Sequence, residues 1–280
     1  MSDIRAQDAP TMTEDSRTGP NPQGDFIWYE LMTTDAEAAK GFYDAVVGWN
    51  IGEGVPEFGG YRMIGRSDGK AAGGVLPITA EMEQHGARPM WLGYINVPDV
   101  DSKIASIEAA GGRALIGPTD IPNVGRIAMV ADPQGAAFYV MKPVPPASDP
   151  NARSDVFSPT EVQRCAWNEL VTSDLDAARR FYPEQFGWTL GEIMPMGPMG
   201  DYQFIHQDGQ MIGAMFAPGD RQPAWRFCFR VDDLERSIEA VRAGGGEVLF
   251  GPAEVPGGGR IIQANDPQGA FFMLIAGGQQ

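Results

Sequence analysis

The sequence predicts an α+β protein made of two similar domains in tandem, and three observations lead to this prediction. The octet WYELMTTD at residues 28–35 recurs as WNELVTSD at 167–174. The phrase FYDAVVGW that follows it recurs as FYPEQFGW, and each copy later contains the tetrapeptide DPQG. Self-similarity over about 115 residues is typical of a duplicated domain, and each copy reads as two β-α-β-β-β units.

The length and composition suit two globular domains with their own connections. The chain has 280 residues, of which 43% are hydrophobic, so apolar side chains suffice for two cores. Residues 1–24 are polar and contain proline, which predicts a disordered N-terminal arm. Residues 25–142 form the first predicted domain, and 164–277 form the second. Between them, the proline-rich segment 143–163 is predicted to be an extended linker.

The first half of each copy predicts a strand followed by an amphipathic helix. In copy one, FIWYELM alternates like a half-buried strand, and the segment TDAEAAKGFYDAVV has a helical apolar stripe. Thr34 and Glu37 have the spacing of a capping box, and Gly48 is expected to end the helix. In copy two, Pro183 falls inside the equivalent segment, so we expect a kink or an early helix end there.

The second half of each copy repeats this plan. In copy one, WLGYINV is a predicted strand and DVDSKIASIEAAGG is a predicted helix. The segments RALIGP, GRIAMVAD and AAFYVMK are three further predicted strands, and DPQG is the turn between the last two. Each copy is therefore expected to contain eight strands in total.

The charge and cysteine content exclude several classes of function. The formal net charge is −16 and the pI is about 4.5, with no lysine or arginine cluster, so neither nucleic acid nor an anionic membrane is a predicted partner. Cys165 and Cys228 make no disulfide framework, and no apolar run reaches the length of a membrane span. With no signal-peptide pattern at the N-terminus, we expect a cytoplasmic protein.

The repeated unit, with the phrases L-x-T-x-D, FY…GW and DP-x-G, resembles the vicinal oxygen chelate superfamily. This superfamily includes glyoxalase I, bleomycin-resistance proteins and extradiol dioxygenases. The resemblance covers residues 26–141 and 165–276, and it is strongest to tandem proteins that carry two glyoxalase-like domains in one chain. It implies that the eight strands of each domain curl around an open cup.

Members of this superfamily that use a metal hold a divalent ion with the first, fourth, fifth and eighth strands, typically through His or Gln, Glu, His and Glu. The corresponding positions here, in the same order, are Trp28 and Trp167, the pairs Gly73–Gly74 and Gly213–Ala214, Leu92 and Arg226, and Tyr139 and Met273. Divalent ions need oxygen or imidazole donors, which these side chains supply poorly or not at all. We therefore predict no metal at this site and no other cofactor.

Strand alternation assigns other side chains to the two cups. If Leu31 and Leu170 face the helices, then Trp28, Glu30, Trp167 and Glu169 face the cups. Glu30 and Glu169 are the candidate catalytic residues. The predicted ligand-binding residues are Trp28, Tyr61, Leu92, Tyr94, Tyr139, Trp167, Tyr202, His206, Arg226, Cys228 and Met273. The first cup is thus aromatic and neutral apart from Glu30, whereas the second sets Glu169 near Arg226 and Arg230.

A structural role competes with a functional one at each of these positions. The tryptophans either fill the space that a metal would take or stack on a ligand. The glutamates are either hydrogen-bonded structural carboxylates or general bases, and Arg226 either pairs with Glu169 or binds a substrate anion. Both cysteines are expected to be buried thiols rather than nucleophiles, and His206 to be a strand residue rather than a catalyst.

Three functions remain open from the sequence. The first is a metal-free protein of the bleomycin-resistance kind that binds a small apolar or aromatic molecule in one or both cups. The second is a cofactor-independent isomerase, lyase or hydrolase that uses a cup carboxylate, and the third is a metal-dependent glyoxalase-like lyase or dioxygenase. Binding is favoured because no acid and base pair has a specific spacing. The expected partner is a small molecule, and the expected assembly is a monomer or a homodimer.

Overall fold

A computed structural model of the protein describes residues 19–219 and 221–278. Most of the predicted N-terminal arm, residues 1–18, lies outside this description. The elements of the first domain are β1 (Phe26–Thr33), α1 (Ala36–Val47), β2 (Asn50–Ile51), β3 (Arg62–Gly65), β4 (Ala71–Pro77), α2 (Ala80–Gln84), β5 (Met90–Asn96), α3 (Val100–Ala109), β6 (Arg113–Ile121), β7 (Gly125–Ala131) and β8 (Ala137–Pro143).

The second domain repeats this order without a counterpart of the short helix α2 in the residues described. Its elements are β9 (Cys165–Val171), α4 (Leu175–Phe186), β10 (Thr189–Pro195), β11 (Asp201–Gln207), β12 (Gln210–Phe216), β13 (Ala224–Arg230), α5 (Leu234–Ala243), β14 (Glu247–Glu254), β15 (Gly259–Asn265) and β16 (Phe271–Gly277). Across the described ranges, no helix has the length and apolar character needed to cross a lipid bilayer.

Each domain forms one eight-stranded mixed sheet, which confirms the predicted α+β fold class with two β-α-β-β-β units per domain. The strand orders are β2-β3-β4-β1-β5-β8-β7-β6 and β10-β11-β12-β9-β13-β16-β15-β14. In the first sheet, β1 runs parallel to β4 and antiparallel to β5, and β5 runs parallel to β8. The first strands of the two units therefore lie side by side, and each sheet stays open rather than closing into a barrel.

The helix after the first strand begins at an aspartate in both domains. The Asp35 side chain accepts a hydrogen bond from the amide of Ala38 at 2.9 Å, and Asp174 does the same in α4. The capping box expected at Thr34 is therefore wrong by one residue, because Asp35 has the extended backbone of an N-cap and its carboxylate reaches the amide of the first turn. Gly48 ends α1 in the left-handed conformation with φ of +81°, as predicted.

Pro183 lies inside α4 without ending it. The helix continues to Phe186, so the expectation of an early end is wrong. Proline removes one amide donor, but the turns on both sides of it are held by burial of Phe181, Tyr182 and Phe186. Packing of this apolar face against the sheet outweighs the loss of one hydrogen bond.

The helix-facing sides of the two sheets and their helices form one continuous hydrophobic core that spans both domains. Phe229 on β13 belongs to this core, and 1% of its surface is exposed. Its ring centroid lies 4.7 Å from that of Trp91 and 5.0 Å from that of Trp49, both in domain 1. The two domains therefore share one hydrophobic core.

Two of the repeated motifs meet across this core. The hydroxyl of Tyr43, from the FY pair of domain 1, donates to Asp266 in the DPQG turn of domain 2 at 3.1 Å. Reciprocally, Tyr182 donates to Asp132 at 3.0 Å. Each tyrosine hydroxyl also accepts a hydrogen bond from a tryptophan indole of its own domain, from Trp91 and Trp225 respectively. The repeated FY and DPQG motifs thus join the two copies.

The segment before each domain is tied to the end of its fifth strand. Asn96 donates from its side-chain amide to the backbone oxygen of Asn21 at 2.6 Å. At the equivalent position of domain 2, Arg230 donates to the backbone oxygen of Pro159 at 2.9 Å and of Gly277 at 2.7 Å. The expectation that Arg230 approaches Glu169 in the cup is wrong, because its guanidinium is used to hold the linker.

Candidate functional site

The candidate sites are the two sheet faces that point away from the shared core. We call them cup 1, in domain 1, and cup 2, in domain 2. Cup 1 contains the side chains of Trp28, Glu30, Met32, Tyr61, Leu92, Tyr94, Met129 and Tyr139. Cup 2 contains Trp167, Glu169, Val171, Tyr202, Phe204, Phe216 and Arg226. Leu31 and Leu170 lie in the shared core, so strand alternation assigned these faces correctly.

In cup 1 a tryptophan, a tyrosine and a glutamate are neighbours on the sheet face. The indole of Trp28 donates to the hydroxyl of Tyr61 at 2.9 Å, and this hydroxyl lies near enough to Glu30 to lower the pKa of its carboxyl group. Tyr94 also donates to Glu30 at 2.9 Å. A Cβ atom at Gly74 would lie 1.9 Å from the Tyr61 hydroxyl, so glycine on β4 leaves the space that this tyrosine occupies.

Cup 2 contains the same arrangement, which we call the Trp-Tyr-Glu chain in both cups. The indole of Trp167 donates to the hydroxyl of Tyr202 at 2.8 Å, and Tyr202 donates to Glu169 at 3.0 Å. Both tryptophans therefore have their only polar atom committed inside the protein. Their rings remain part of the cup wall, as shown by the edge-to-face contact between Trp167 and Phe204 at 6.0 Å.

Glu30 is a buried carboxyl group with one oxygen committed and one free. Its side chain is 3% exposed, and burial raises its pKa to about 7, an effect partly opposed by the hydrogen bonds from Tyr94 and Tyr61. Among the described residues, Oε1 of Glu30 has no hydrogen-bond partner. Burial also raises the pKa of Glu169, while Tyr202 and Arg226 lower it. A carboxyl group that titrates near neutral pH is suited to proton transfer.

Two further tyrosines surround Glu30. The rings of Tyr94 and Tyr139 are stacked, with centroids 4.3 Å apart and planes 15° apart. Burial raises the pKa of each phenol above its ordinary value, and the nearby Glu30 charge raises both further. Both phenols therefore stay protonated at neutral pH, and Tyr94 donates its proton to the hydrogen bond with Glu30.

Cup 2 has Cys228 and Met273 in place of this tyrosine pair, and it contains a cation beside its glutamate. The guanidinium of Arg226 lies 4.5 Å from the centroid of Phe271, and its Nη1 lies 4.0 Å from Oε1 of Glu169. Arg226 corresponds to Leu92, which is fully buried beside Glu30 in cup 1. The predicted pairing of Arg226 with Glu169 is therefore a loose ion pair rather than a hydrogen bond.

The remaining predicted site residues have structural surroundings. Cys228 is buried, and burial raises the pKa of its thiol above the ordinary value. Burial also raises the pKa of the Cys165 thiol, to about 12. Such thiols stay protonated and are poor nucleophiles. Met273 is buried beside Cys228 on the neighbouring strand. His206 is half-buried, its ring packs over Gly191 on β10, and burial lowers its pKa.

Comparison with known proteins identifies the family. Residues 26–140 and 162–274 each match the sequence profile of the Glyoxalase/Bleomycin resistance protein/Dioxygenase superfamily. The chain belongs to this superfamily. The resemblance inferred from the repeated motifs is thus confirmed, and one copy of the superfamily domain lies in each half of the chain.

Several relatives of this superfamily span nearly the whole chain. CFP32 of Mycobacterium tuberculosis, whose name assigns it provisionally to the glyoxylases, is 32% identical over 90% of this chain and 95% of its own length. The anthracycline biosynthesis protein DnrV of Streptomyces peucetius is 31% identical over 89% of this chain and 91% of its own. The Mn(II)-bound glyoxalase from Novosphingobium aromaticivorans has the same fold, with a TM-score of 0.62 and 17% identity over 91% of this chain and 82% of its own.

The donor set in these cups does not fit a divalent metal ion of the kind that superfamily members bind. The indole nitrogen of Trp28 carries a hydrogen that it donates to Tyr61, Leu92 has no donor atom, and Tyr139 stays protonated. No three side chains of His, Cys, Asp or Glu come together as ligands anywhere in residues 19–219 and 221–278. A metal-dependent reaction at the superfamily position therefore lacks its ligands here.

Two contacts at the site were not predicted from the sequence. The first is the link from tryptophan through tyrosine to glutamate, although a tyrosine at the same place in both copies, Tyr61 and Tyr202, was a signal for it. The second is the packing of Arg226 on Phe271. Copy one has Leu92 and Ala137 at these two positions. Both positions therefore differ between the copies, and this joint difference was a signal that the two side chains touch across neighbouring strands.

Proposed function

We propose that the protein is a metal-independent binding protein that takes up a small apolar or aromatic molecule in its cups. The observation that carries this proposal is the Trp-Tyr-Glu chain, which in both domains occupies the sheet face where metal-using relatives hold their ion. The chain leaves aromatic ring faces and one free carboxylate oxygen in each cup, which suits binding of a flat molecule with few polar groups.

The side chains around the glutamates favour an aromatic ligand. Tyr94, Tyr139 and Trp28 line cup 1, and Trp167 and Phe204 line cup 2. Stacking on such rings contributes about 1 kcal/mol for each pair beyond the burial of apolar surface. The net charge of −16 and the Glu30 carboxylate further favour a ligand with a cationic group over one with an anionic group.

The names of two relatives support the same ligand class. DnrV and the protein DauV of Streptomyces sp. (strain C5), which is 30% identical over 89% of this chain, are both named for anthracycline biosynthesis. Anthracyclines are flat, polycyclic aromatic molecules, some with an amino sugar. A polycyclic aromatic compound is therefore the first ligand class to test on this chain.

We expect an anthracycline to bind saturably to the protein, and we expect the dissociation constant to change by less than about twofold after treatment with EDTA. The measurement is isothermal titration of protein purified without a histidine tag, together with metal analysis of the same sample. Metal content far below one ion per chain is the expected result. One divalent ion per chain, with binding lost on its removal, would contradict the proposal and support the metal-dependent alternative.

A second candidate function is a cofactor-independent enzyme that moves a proton in cup 1. The observation that favours it is the free oxygen of Glu30, on a carboxyl group whose pKa is about 7 and which three phenols surround. In such a site the carboxylate accepts a proton from carbon while a phenol donates to the developing oxyanion. Isomerases and lyases use steps of this kind.

Proton exchange in an aryl ketone tests this second function. We expect the protein to accelerate deuterium exchange at the α-carbon of 1-tetralone in D2O, and Glu30→Gln to reduce that acceleration by about tenfold or more, because glutamine cannot take up the proton. Proton NMR gives the rates. Glu57→Gln, at an exposed site, should exchange as the wild-type protein does. Equal rates for Glu30→Gln and the wild-type protein would exclude Glu30 as the base.

A further inference from the structure

Two buried polar atoms in cup 2 face each other without being bonded. Nη1 of Arg226 is a hydrogen-bond donor and Oε1 of Glu169 is an acceptor, and they lie 4.0 Å apart. Within the part of the chain that the structure describes, neither atom has a hydrogen-bond partner. The Glu169 residue is 7% exposed and the Arg226 side chain 14%, so both atoms are largely removed from water. Buried polar groups without partners are unfavourable, which favours a group that bonds to both.

Other contacts hold both side chains in place. Tyr202 donates to the second oxygen of Glu169 at 3.0 Å, and Trp167 in turn donates to Tyr202. The guanidinium of Arg226 packs over the ring of Phe271 at 4.5 Å. Closing the gap would disturb these contacts, so the donor and the acceptor are arranged in advance for a third group.

The spacing of the two atoms matches the reach of a single oxygen atom bonded to both. Hydrogen bonds of about 2.8 to 2.9 Å from one oxygen reach two atoms that are 4.0 Å apart. We propose that cup 2 selects an aromatic ligand with a neutral hydroxyl group, which accepts a hydrogen bond from Arg226 and donates one to Glu169. This proposal rests on the proposed binding function and assigns the polar group that cup 2 recognises.

The charges on the two residues discriminate against ionic ligand groups. A carboxylate between them would accept from Arg226, but it would also be repelled by Glu169 and leave that residue without a donor. An ammonium group would bond to Glu169 and be repelled by Arg226. A phenolic hydroxyl satisfies both residues at once because it is a donor and an acceptor. The two-sided arrangement therefore selects a neutral group with both functions.

Cup 1 differs at the same positions. It has Leu92 where cup 2 has Arg226, and Ala137 where cup 2 has Phe271, so it lacks both the donor and the ring that supports it. Glu30 keeps a free oxygen there, but the other donors around it are tyrosine hydroxyls. The preference for a hydroxyl group is therefore expected in cup 2 and not in cup 1. Because cup 1 has leucine at the position of Arg226, leucine is the substitution chosen to test Arg226.

The test compares three probes of the same shape at pH 8: 2-naphthol, 2-methylnaphthalene and 2-naphthoate. Quenching of tryptophan fluorescence gives a dissociation constant for each. We expect 2-naphthol to bind about tenfold or more tightly than 2-methylnaphthalene, and more tightly than 2-naphthoate. In Arg226→Leu, the ratio of the first two constants should fall toward one. The control Arg221→Leu removes an exposed charge near Glu169 and should keep the wild-type ratio.

Each other outcome has a definite meaning. Equal binding of 2-naphthol and 2-methylnaphthalene would overturn the hydroxyl site and leave the proposed binding function intact. Tightest binding of 2-naphthoate would show that Arg226 acts as a simple anion receptor, which also overturns it. Binding of none of the three probes would refute both proposals. If Arg226→Leu does not fold, Glu169→Gln serves instead, because it replaces the acceptor with an amide and should also lower the ratio.

Discussion

At pH 8 we expect the Glu30→Gln variant to be more stable than the wild-type protein by about 3 kcal/mol. Near pH 4 we expect the two proteins to have nearly equal free energies of unfolding. Burial raises the pKa of Glu30 from an ordinary value of 4.5 to about 7 in the folded protein. Between these two values the folded state holds a proton that the unfolded state has lost. The free energy of unfolding therefore falls as the pH rises from about 4.5 to 7, and above this window the full penalty is present.

Denaturant unfolding of both proteins between pH 4 and pH 8.5 measures this effect. Glutamine has nearly the shape of glutamate and accepts the same hydrogen bond from Tyr94, but it carries no charge at any pH. Glu169, Asp132 and Asp266, whose pKa values burial also raises, are present in both proteins and cancel in the difference. A stability difference that stays constant across this range would show that Glu30 does not carry a raised pKa.

Replacing Phe229 by alanine should cost about 3 to 5 kcal/mol of stability and weaken both domains together. This ring is fully enclosed between the sheets and touches Trp49, Trp91 and Tyr29 of domain 1, although it belongs to domain 2. Its removal opens a cavity in the shared core, where the surrounding rings cannot close the gap without losing their own contacts. Both domains therefore lose packing contacts across the shared core, and both are expected to become less stable.

Denaturant unfolding combined with amide hydrogen exchange tests this prediction. Exchange should become faster in the strands of domain 1 as well as in those of domain 2, because the two share one core. Phe250→Ala is the matched control, since that ring is 52% exposed and its loss should change stability by less than about 0.5 kcal/mol. Faster exchange restricted to domain 2 would mean that the domains unfold independently.

Local patterns in the sequence predicted the fold, and they predicted which side chains of the first strands face the cups. The repeats identified the tandem domains, and the period of two along β1 assigned Glu30 to the cup and Leu31 to the core. These features depend on neighbours in sequence. Strand alternation also assigned Arg230 to the cup, but the linker passes close enough to accept its hydrogen bonds, and no local pattern reports where a linker runs.

The contacts that define the site depend on distances between separate strands. Tyr61 meets Trp28 and Glu30 because β3, β4 and β1 are adjacent and Gly74 leaves room between them. Sequence spacing contains none of this information. The contact between Tyr43 and Asp266 was not predicted for the same reason. Within its own copy, each of the two motifs is fully explained as part of a helix or a turn.

The reciprocal bonds from Tyr43 to Asp266 and from Tyr182 to Asp132 have an evolutionary consequence. After duplication, a substitution at any of these four residues affects the packing of both copies, so they are constrained together. The cups lie on the opposite faces of the sheets and carry no part of this joint. One cup can therefore acquire a new specificity while the other keeps its own, as the exchange of Leu92 for Arg226 between copies illustrates.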